Sequence, residues 1–534
     1  MKRFVMTVRA QAACALLASC FVAQASDRTW DGGGGDANWG TAANWDGDAS
    51  APVANDALFF GGSARLTNTN NMDAGTSFAG ITFNSGAGAF TLAGNALALA
   101  GNVSNLSASV QVINLPMAMN ATCMIYSSNV AVTVNGVLSG AGGLIANVTN
   151  SALTLSAANT YAGDTIVTNG QLLITHKDAL GSSAAGTRIF GLSDASLKLS
   201  GGIEIAEPII LDGARPNYQS SLLGDTGSNT VSGLVSKMNS NPRIRVESGG
   251  KTLVLAGGVT NAAGGGMLGL DPQSGSTILI KDKPLLLGMS VSIQSEYSGW
   301  VVFAAPSNTY SSILICDHNK LRTDVSNALC PTAQVTIGGS WVADGLLDLN
   351  GRDQTIGSLK TDGLKTAPGY LAVTSVVPAT LTVNQSGSTV FAGALDGAVS
   401  LVKQGSGTLT FSNVVSKTTG DLFVCSGTVA VAETGGFANS MNVRVSYGGT
   451  FELRNSSVLT NAATVWLANG AKMTLASGVN EVIGYLYYGA VSKRAGTYGS
   501  TGSTAQFADD THFSGSGVLT VLHDNVPGTI ISLR

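Results

Sequence analysis

Residues 152–175 read ALTLSAANTYAGDTIVTNGQLLIT, and this stretch decides the fold. It contains three short runs rich in Leu, Ile, Val and Thr, namely Ala152–Leu155, Thr165–Thr168 and Leu172–Thr175. Gly, Asn, Asp and Ser separate the runs, and these residue types favour tight turns. Short runs of this composition between turn residues predict β-strands, and no helical periodicity competes with that interpretation.

The same pattern recurs along the chain. Further runs are Ala79–Phe83, Val130–Val134, Lys251–Leu255, Ser276–Ile280, Thr408–Phe411 and Val518–Val521. Strands this short cannot bury an apolar face alone, but turns stacked about 4.8 Å apart pair every backbone group and form one continuous core. The sequence therefore predicts an all-β fold, a right-handed parallel β-helix (β-solenoid), with roughly 20 to 25 residues per turn and on the order of 20 turns.

The composition agrees with stacked strands and tight turns. Charged residues make up 11% of the chain and 68 of its 534 residues are glycine, whereas globular chains average about 25% and 7%. Hydrophobic residues reach 44%, which excludes a disordered chain. The net charge of −4 offers no basic surface for nucleic acid or an anionic membrane. Beyond the N-terminal segment, the sequence contains no run of 18 apolar residues, so we expect no transmembrane helix.

Two stretches of the chain resemble each other at long range. Tyr310 lies 149 residues after Tyr161. Each of these tyrosines ends an Asn-Thr-Tyr sequence that a serine precedes closely. Ala328-Leu329 repeats Ala179-Leu180 at the same spacing. Landmarks in the same order and phase predict an internal duplication, with a more diverged third copy from Gly405.

These residues resemble the autotransporter-associated β-strand repeat family. The motif begins with Gly140–Leu144 and Leu153–Leu155 and continues through Gly170 and Leu172. At its centre are Asn159, Thr160, Tyr161, Gly163 and Thr165. The copy at Gly405 lacks Asn-Thr-Tyr and has Val415–Gly420 instead. The resemblance implies a β-helix outside the cell or on its surface, with no shared catalytic residues.

Blocks at the two ends also resemble modules of large secreted relatives. The predicted layout is a signal peptide at 1–25, a Trp-rich cap at 26–62, a β-helix repeat region at 63–523 and a short tail at 524–534. Within the repeat region the copies lie near 140–201, 300–359 and 405–453, with a terminal module at 480–523. An autotransporter ends in a long barrel of alternating strands. Because this sequence stops soon after the terminal module, we expect it to use other export machinery.

The N-terminus predicts export. Lys2, Arg3 and Arg9 precede an apolar stretch, and Ala23-Gln24-Ala25 gives the small-residue pattern for cleavage between Ala25 and Ser26. The alternative is lipidation at Cys20, because Leu17-Ala-Ser-Cys20 resembles a bacterial lipobox. The predicted location is secreted or on the outer cell surface, or lipid-anchored through Cys20.

Neither a metal site nor a cofactor site is predicted. His176, His318, His512 and His523 are isolated, and Cys123, Cys316, Cys330 and Cys425 lack metal-binding spacing. Cys316 and Cys330 pair in an oxidising compartment or serve as small buried fillers, and the sequence leaves both open.

Two sets of residues are candidates for glycan chemistry. Trp30, Trp39 and Trp45 either stack on sugar rings or plug the open end of the solenoid, and we favour the plug. A polysaccharide lyase or glycosidase would need clustered charges. The nearest local candidates are Glu204 with Glu207, Asp344 with Asp348, and Arg243 with Arg245.

The predicted function follows from the repeat architecture and from the scarcity of candidate catalytic residues. A non-catalytic scaffold or adhesin-like protein is favoured, with extracellular glycans or cell-envelope components as partners and without nucleic acid. A polysaccharide-active enzyme on the same fold is the alternative, because a fold alone does not assign function.

Overall fold

The computed structural model describes residues 25–190, 194–212, 221–238, 241–294, 298–339, 344–362, 371–412, 414–432 and 434–524. Within these ranges the chain coils into one parallel β-solenoid. The helical content of the described residues is one 3-10 turn at Ala42–Asn44. The predicted all-β parallel β-helix is confirmed, while the hand of the coil stays a prediction.

Each turn of the coil contributes strands to three faces. The first face contains Asp27–Trp30, Ala57–Phe60, Gly80–Phe83, Val103–Asn105, Cys123–Ser128, Thr187–Ile189, Ile209–Leu211, Val235–Lys237, Val259–Asn261, Leu285–Leu286, Gln354–Ile356, Leu422–Val424, Asn442–Val445, Thr464–Leu467 and Tyr485–Tyr488.

The second face follows it along each turn. Its strands are Thr67–Asn70, Thr91–Gly94, Gln111–Ile113, Val132–Val134, Ser196–Leu199, Leu222–Gly224, Arg243–Val246, Met267–Pro272, Ser290–Ile293, Ser312–Ile315, Gln334–Ile337, Ser358–Lys360, Thr389–Phe391, Thr408–Phe411, Gly427–Val431, Gly449–Leu453, Lys472–Leu475 and Phe513–Ser514.

The third face completes the turn. Its strands are Thr76–Phe78, Leu97–Leu99, Met117–Met119, Leu138–Ser139, Glu204–Ile205, Ser228–Val231, Thr252–Leu255, Thr277–Ile280, Trp300–Phe303, Lys320–Thr323, Gly345–Asp348, Val415–Ser416, Gly436–Phe437, Asn480–Ile483 and Val518–Val521.

Four long strands pass through a corner and belong to two faces. Leu144–Leu155 and Thr165–Ile174 join the first face to the second, with register shifts where they bend. Leu371–Asn384 and Ala394–Gln404 join the third face to the first in the same way. Such irregularities let a strand turn without ending its ladder.

The length of a turn varies along the coil. Paired residues are 19 apart between Leu153 and Leu172, and 26 apart between Lys320 and Leu346. The insertions lie in the corners, because the strand pairs themselves keep a regular parallel register. Most turns lie close to the predicted 20 to 25 residues, whereas the first turn is longer, with 30 residues between Asp27 and Ala57.

Aliphatic side chains stack inside the coil. On the second face, Val132, Leu153, Leu172 and Leu197 are partners in consecutive turns. All four side chains are fully buried. Inward residues alternate with outward ones along each strand, so each turn adds one layer to a continuous apolar column.

Antiparallel strands close the C-terminal end of the coil. Val491–Ser492 folds back on Tyr485–Tyr488, and Gly496–Gly499 runs antiparallel to Val518–Val521. Phe507–Ala508 extends the same small sheet. An open parallel edge would pair with other chains, so these strands protect the last turn.

Replacing Leu155 with Asp tests the stacked core. Leu155 is fully buried between Val134 and Ile174 of the adjacent turns. A buried, unpaired carboxylate costs several kcal/mol, and each turn contacts only its neighbours. We expect limited proteolysis to cut first near residue 155 and to leave a resistant C-terminal fragment.

Thr154→Asp is the control for this test, because Thr154 lies on the outer side of the same strand. It should leave the cleavage pattern unchanged. Cleavage spread evenly along the Leu155→Asp variant would contradict a locally stabilised coil.

Candidate functional site

The asparagine of the repeat motif joins three successive turns at a corner of the coil. Asn159 is buried, and its Oδ1 accepts the backbone N–H of Leu138 at 2.8 Å. Its Nδ2 donates to the backbone oxygen of Ala179 at 2.6 Å. Leu138 belongs to the preceding turn and Ala179 to the following one. The side chain therefore satisfies two buried backbone groups that need partners.

Tyr161 and Thr165 occupy the same corner, and both are fully buried. The Tyr161 Oη lies 2.5 Å from Oγ1 of Thr165. Burial raises the pKa of the Tyr161 hydroxyl above its ordinary value, so the group stays protonated. The hydroxyl pair adds a polar contact to an otherwise apolar column.

The other two motif residues act through the backbone. A Cβ atom at Gly163 would lie 2.6 Å from the backbone nitrogen of Gly143, so only glycine permits this approach of two turns. Thr160 has an exposed side chain, and its backbone N–H donates to the oxygen of Leu138 at 2.8 Å. All five motif residues therefore contribute to the geometry of the coil.

The second Asn-Thr-Tyr stretch makes matching contacts. The Oδ1 of Asn308 accepts the backbone N–H of Leu285 at 2.7 Å, and its Nδ2 donates to the oxygen of Ala328 at 2.7 Å. The buried Tyr310 hydroxyl accepts the backbone N–H of Cys330 at 3.2 Å. The two stretches therefore have the same role in the coil.

Elsewhere in the coil, side chains at or near the ends of short strands make the same kind of contact with a neighbouring turn. Ser416, in the copy that lacks Asn-Thr-Tyr, accepts the backbone N–H of Leu395 through its Oγ at 3.1 Å. Gln354 accepts the N–H of Leu329 at 3.0 Å. Glu481 is fully buried and accepts two backbone N–H groups, at 2.7 and 2.9 Å. We call all of these corner clamps.

The three N-terminal tryptophans cover the first turns of the coil. Trp30, Trp39 and Trp45 are each fully buried. All three rings pack against Phe60, with centroids 5.6 to 6.2 Å from it. The indole N–H of Trp39 donates to Oδ1 of Asn68 at 2.8 Å.

This packing has a direct consequence for sugar binding. A stacked sugar needs an exposed aromatic face, and these three rings present none in this structure. Their glycan-stacking role stays a prediction that would require the cap to open, whereas their burial is what a plug requires.

A cleft of about 300 Å³ opens beside the corner of Asn159 and Tyr161. Its lining residues are Lys177, Asp178, Leu180, Gly181, Ser183, Glu204, Ala206 and Glu207. The cleft therefore brings together Glu204 and Glu207, one of the charged pairs considered for catalysis.

The two carboxylates are in contrasting environments. Glu204 is exposed, whereas Glu207 is only 4% exposed and its Oε1 accepts a hydrogen bond from the Thr187 hydroxyl at 2.8 Å. Burial raises the pKa of Glu207 to about 8, with the nearby Asp164 adding to the shift. Glu207 is thus largely protonated at neutral pH and forms part of the buried polar corner.

The arginine pair has a structural partner. Arg243 Nη1 lies 3.6 Å and Arg245 Nη2 lies 2.8 Å from Oδ2 of Asp271. Asp271 is 1% exposed. The two guanidinium groups thus share one buried carboxylate between neighbouring turns.

The remaining acidic pair is also engaged locally. Asp344 accepts the backbone N–H of His318 at 2.6 Å and also contacts its ring. Asp348 accepts the backbone N–H of Asn350 at 2.9 Å in a turn. Neither Asp344 nor Asp348 lines the cleft that contains Glu207.

Within the described ranges, no group of three or more His, Cys, Asp or Glu side chains could hold a metal ion. Four cysteines there have free thiols: Cys123, Cys316, Cys330 and Cys425. Burial raises the pKa of Cys316 to about 12. The same ranges hold no helix long and apolar enough to span a membrane.

The export prediction lies almost wholly outside the described residues. Cys20 and the rest of the predicted signal precede residue 25 and are not described. Ser26 is described, and its backbone nitrogen lies 3.0 Å from Oδ1 of Asp56 in the first turn.

Sequence reasoning missed an outward row on the first face. Arg444, Trp466 and Tyr487 are partners in three consecutive turns. The signal was present in Val465-Trp466-Leu467, because the two buried aliphatic neighbours require the tryptophan to point outward. Which residues stand beside Trp466 depends on turn lengths that the sequence does not display.

The geometry defines the class of protein. The chain is a parallel β-solenoid with three faces, built from β-strand repeats whose corners are held by the corner clamps. Residues 151–174 and 401–431 match the model of the family described as passenger-associated-transport-repeat. The chain thus contains autotransporter-associated β-strand repeats in these two segments.

A distant relative agrees with this assignment. The Adhesin BmaC autotransporter of Brucella suis biovar 1 (strain 1330) is 28% identical over 298 residues. The match covers 52% of this chain but only 8% of that adhesin. No solved structure matches the chain significantly.

Replacing Asn159 with Ala tests the corner clamp. The change leaves the N–H of Leu138 and the oxygen of Ala179 without their side-chain partner. Each buried group left unpaired costs about 1–3 kcal/mol, so hydrogen exchange should speed up at this corner by at least tenfold. Thr160→Ala, at an exposed neighbour, is the control. Equal protection in both variants would refute the clamp.

Replacing Glu207 with Gln tests the buried carboxyl. Its pKa is about 8 in the fold against 4.5 when unperturbed, so the fold favours the neutral form. The contribution of this carboxyl to stability is complete below pH 4.5 and is lost as the pH rises towards 8, by on the order of 5 kcal/mol.

The Gln variant should remove this loss, so exchange near Thr187 should depend less on pH between 5 and 8.5. Glu204→Gln, at the exposed carboxylate of the same cleft, should behave as the wild type does. An unchanged pH profile in Glu207→Gln would show that Glu207 titrates normally.

Proposed function

We propose that this chain is a non-catalytic, adhesin-like β-solenoid that is displayed outside the bacterial cell and binds extracellular glycans or cell-envelope components. The observation that carries the proposal is a parallel β-solenoid, in the described residues, that contains passenger-associated transport repeats. The distant relative, an autotransporter named as an adhesin, supports the same role.

The architecture suits display of a binding surface. Inward side chains form the core, so outward side chains can change without loss of the coil. Each face therefore offers a long, regular surface that can carry binding residues. Among the described residues, the predicted charged pairs are separate, which favours binding over catalysis.

Export is part of the proposal. The predicted signal peptide directs the chain to export machinery, and cleavage between Ala25 and Ser26 yields the mature protein. Lipidation at Cys20 is the competing route, and it would anchor the same solenoid to a membrane. Mass spectrometry of the mature N-terminus distinguishes the two.

The function is tested in a bacterium that expresses the full-length chain. We expect protease added to intact cells to remove the protein, and deletion of its gene to reduce adherence to glycan-coated surfaces. Expression of the wild type and of Glu207→Gln should both restore adherence, because the proposed role needs no catalytic carboxyl.

Two results would contradict this proposal. The first is a chain that stays protected inside intact cells. The second is the release of new reducing ends from a polysaccharide by the purified wild type but not by Glu207→Gln, since that would show catalysis.

A further inference from the structure

Three successive positions in one outward row of the first face hold one cation and two aromatic rings. Arg444, Trp466 and Tyr487 occupy the same strand position in three consecutive turns. Val443, Val465 and Leu486 precede them in the strands and are buried, which fixes the row on the outer side. Rungs of a parallel sheet repeat about every 4.8 Å.

The three side chains form one stack. The guanidinium carbon of Arg444 lies 4.1 Å from the ring centroid of Trp466. The rings of Trp466 and Tyr487 are 5.5 Å apart at an interplanar angle of 17°. Cation–π contact and ring stacking hold these groups in place, so binding would require little further ordering of the arginine.

Arg444 is an exposed cation without an acidic partner. No carboxylate of the described residues forms an ion pair or hydrogen bond with its guanidinium. By contrast, Arg454 has its Nε 2.7 Å from Oε1 of Glu452, and Arg322 has its Nε 2.8 Å from Oδ1 of Asp324. The N–H donors of Arg444 are therefore available to an external anion.

The neighbouring outward row is neutral and polar. Asn442, Thr464 and Tyr485 lie two residues before the first row and are partners in the same turns. Asn442 donates a hydrogen bond to Oδ1 of Asp421 in the preceding turn at 2.7 Å, so that this carboxylate already has a partner. The surface thus combines an unpaired cation, aromatic edges, hydroxyls and an amide.

The chemistry selects one kind of partner. A carboxylate or sulfate suits the planar donors of arginine, while sugar hydroxyls suit the amide and hydroxyl groups beside it. A polysaccharide also repeats along its length, as the rungs do. Anionic lipid surfaces and nucleic acid need clusters of basic residues, and this surface has one unpaired arginine.

We propose that the row Arg444–Trp466–Tyr487, with the polar row beside it, is a docking site for an acidic polysaccharide. This inference rests on the proposed adhesin-like function and names its ligand class. The anionic groups of the polysaccharide bind Arg444, and the sugar hydroxyls bind the neighbouring polar row.

The test uses the full mature protein with three probes: polygalacturonate, dextran sulfate and neutral dextran. We expect binding to the first two and not to neutral dextran. Arg444→Gln should weaken binding roughly tenfold, as loss of a charge-assisted hydrogen bond predicts. Arg444→Lys should recover only part of it, because lysine lacks the planar donor group.

Arg454→Gln is the matched control, since it removes one cation of similar exposure that already has an acidic partner. Its affinity should equal that of the wild type. Trp466→Leu removes the support of Arg444 and should also weaken binding, provided that limited proteolysis shows an intact coil.

Several outcomes would overturn the inference. These are full affinity in Arg444→Gln, equal losses in Arg444→Gln and Arg454→Gln, or no binding of either acidic probe by the wild type. A protein that mediates adherence but binds neither acidic probe would refute this site and leave the proposed function standing. Binding of the probes without adherence would refute the proposed function instead.

Discussion

Hydrogen bonding between the backbones of successive turns is the constraint on which this structure depends. A single turn cannot satisfy its own N–H and C=O groups, because each strand finds its partners only in the turns above and below. Parallel pairing in register connects consecutive turns of the first face from Asp27–Trp30 to Leu285–Leu286, and again from Gln354–Ile356 to Tyr485–Tyr488. The aliphatic columns, the tight corners and the covered ends all serve one requirement. Every backbone hydrogen bond between turns must be formed and shielded from water.

Corners are where this requirement is hardest to meet, and the repeat motif serves them. Asn159 and Asn308 make equivalent contacts, yet the strand after Tyr161 lies on the first face and the strand after Tyr310 lies on the second. The two copies are therefore related by a spacing that is not a whole number of turns. Such a motif maintains corners wherever they fall, and it does not mark any one face as functional.

The sequence predicted the core residues well and the arrangement of surface residues poorly, for one physical reason. Inward positions are recognisable from the alternation within a single strand, as in Leu153 and Leu155, both fully buried. Relations between turns depend on turn length, which is 19 residues between Leu153 and Leu172 but 30 residues between Asp27 and Ala57. Neither the contact of Arg444 with Trp466 nor the position of Glu207 beside Thr187 could be read from spacing.

Burial also explains why prominent residues were weak guides to function. Three of the six tryptophans cluster in the sequence near the N-terminus, and they are buried because an exposed coil end needs large apolar side chains. Trp466 has no such neighbours in sequence, and it stands on the surface because its strand already contributes Val465 and Leu467 to the core. In a solenoid, a residue conspicuous in sequence is often structural, and a binding residue is recognised by what lies one turn away.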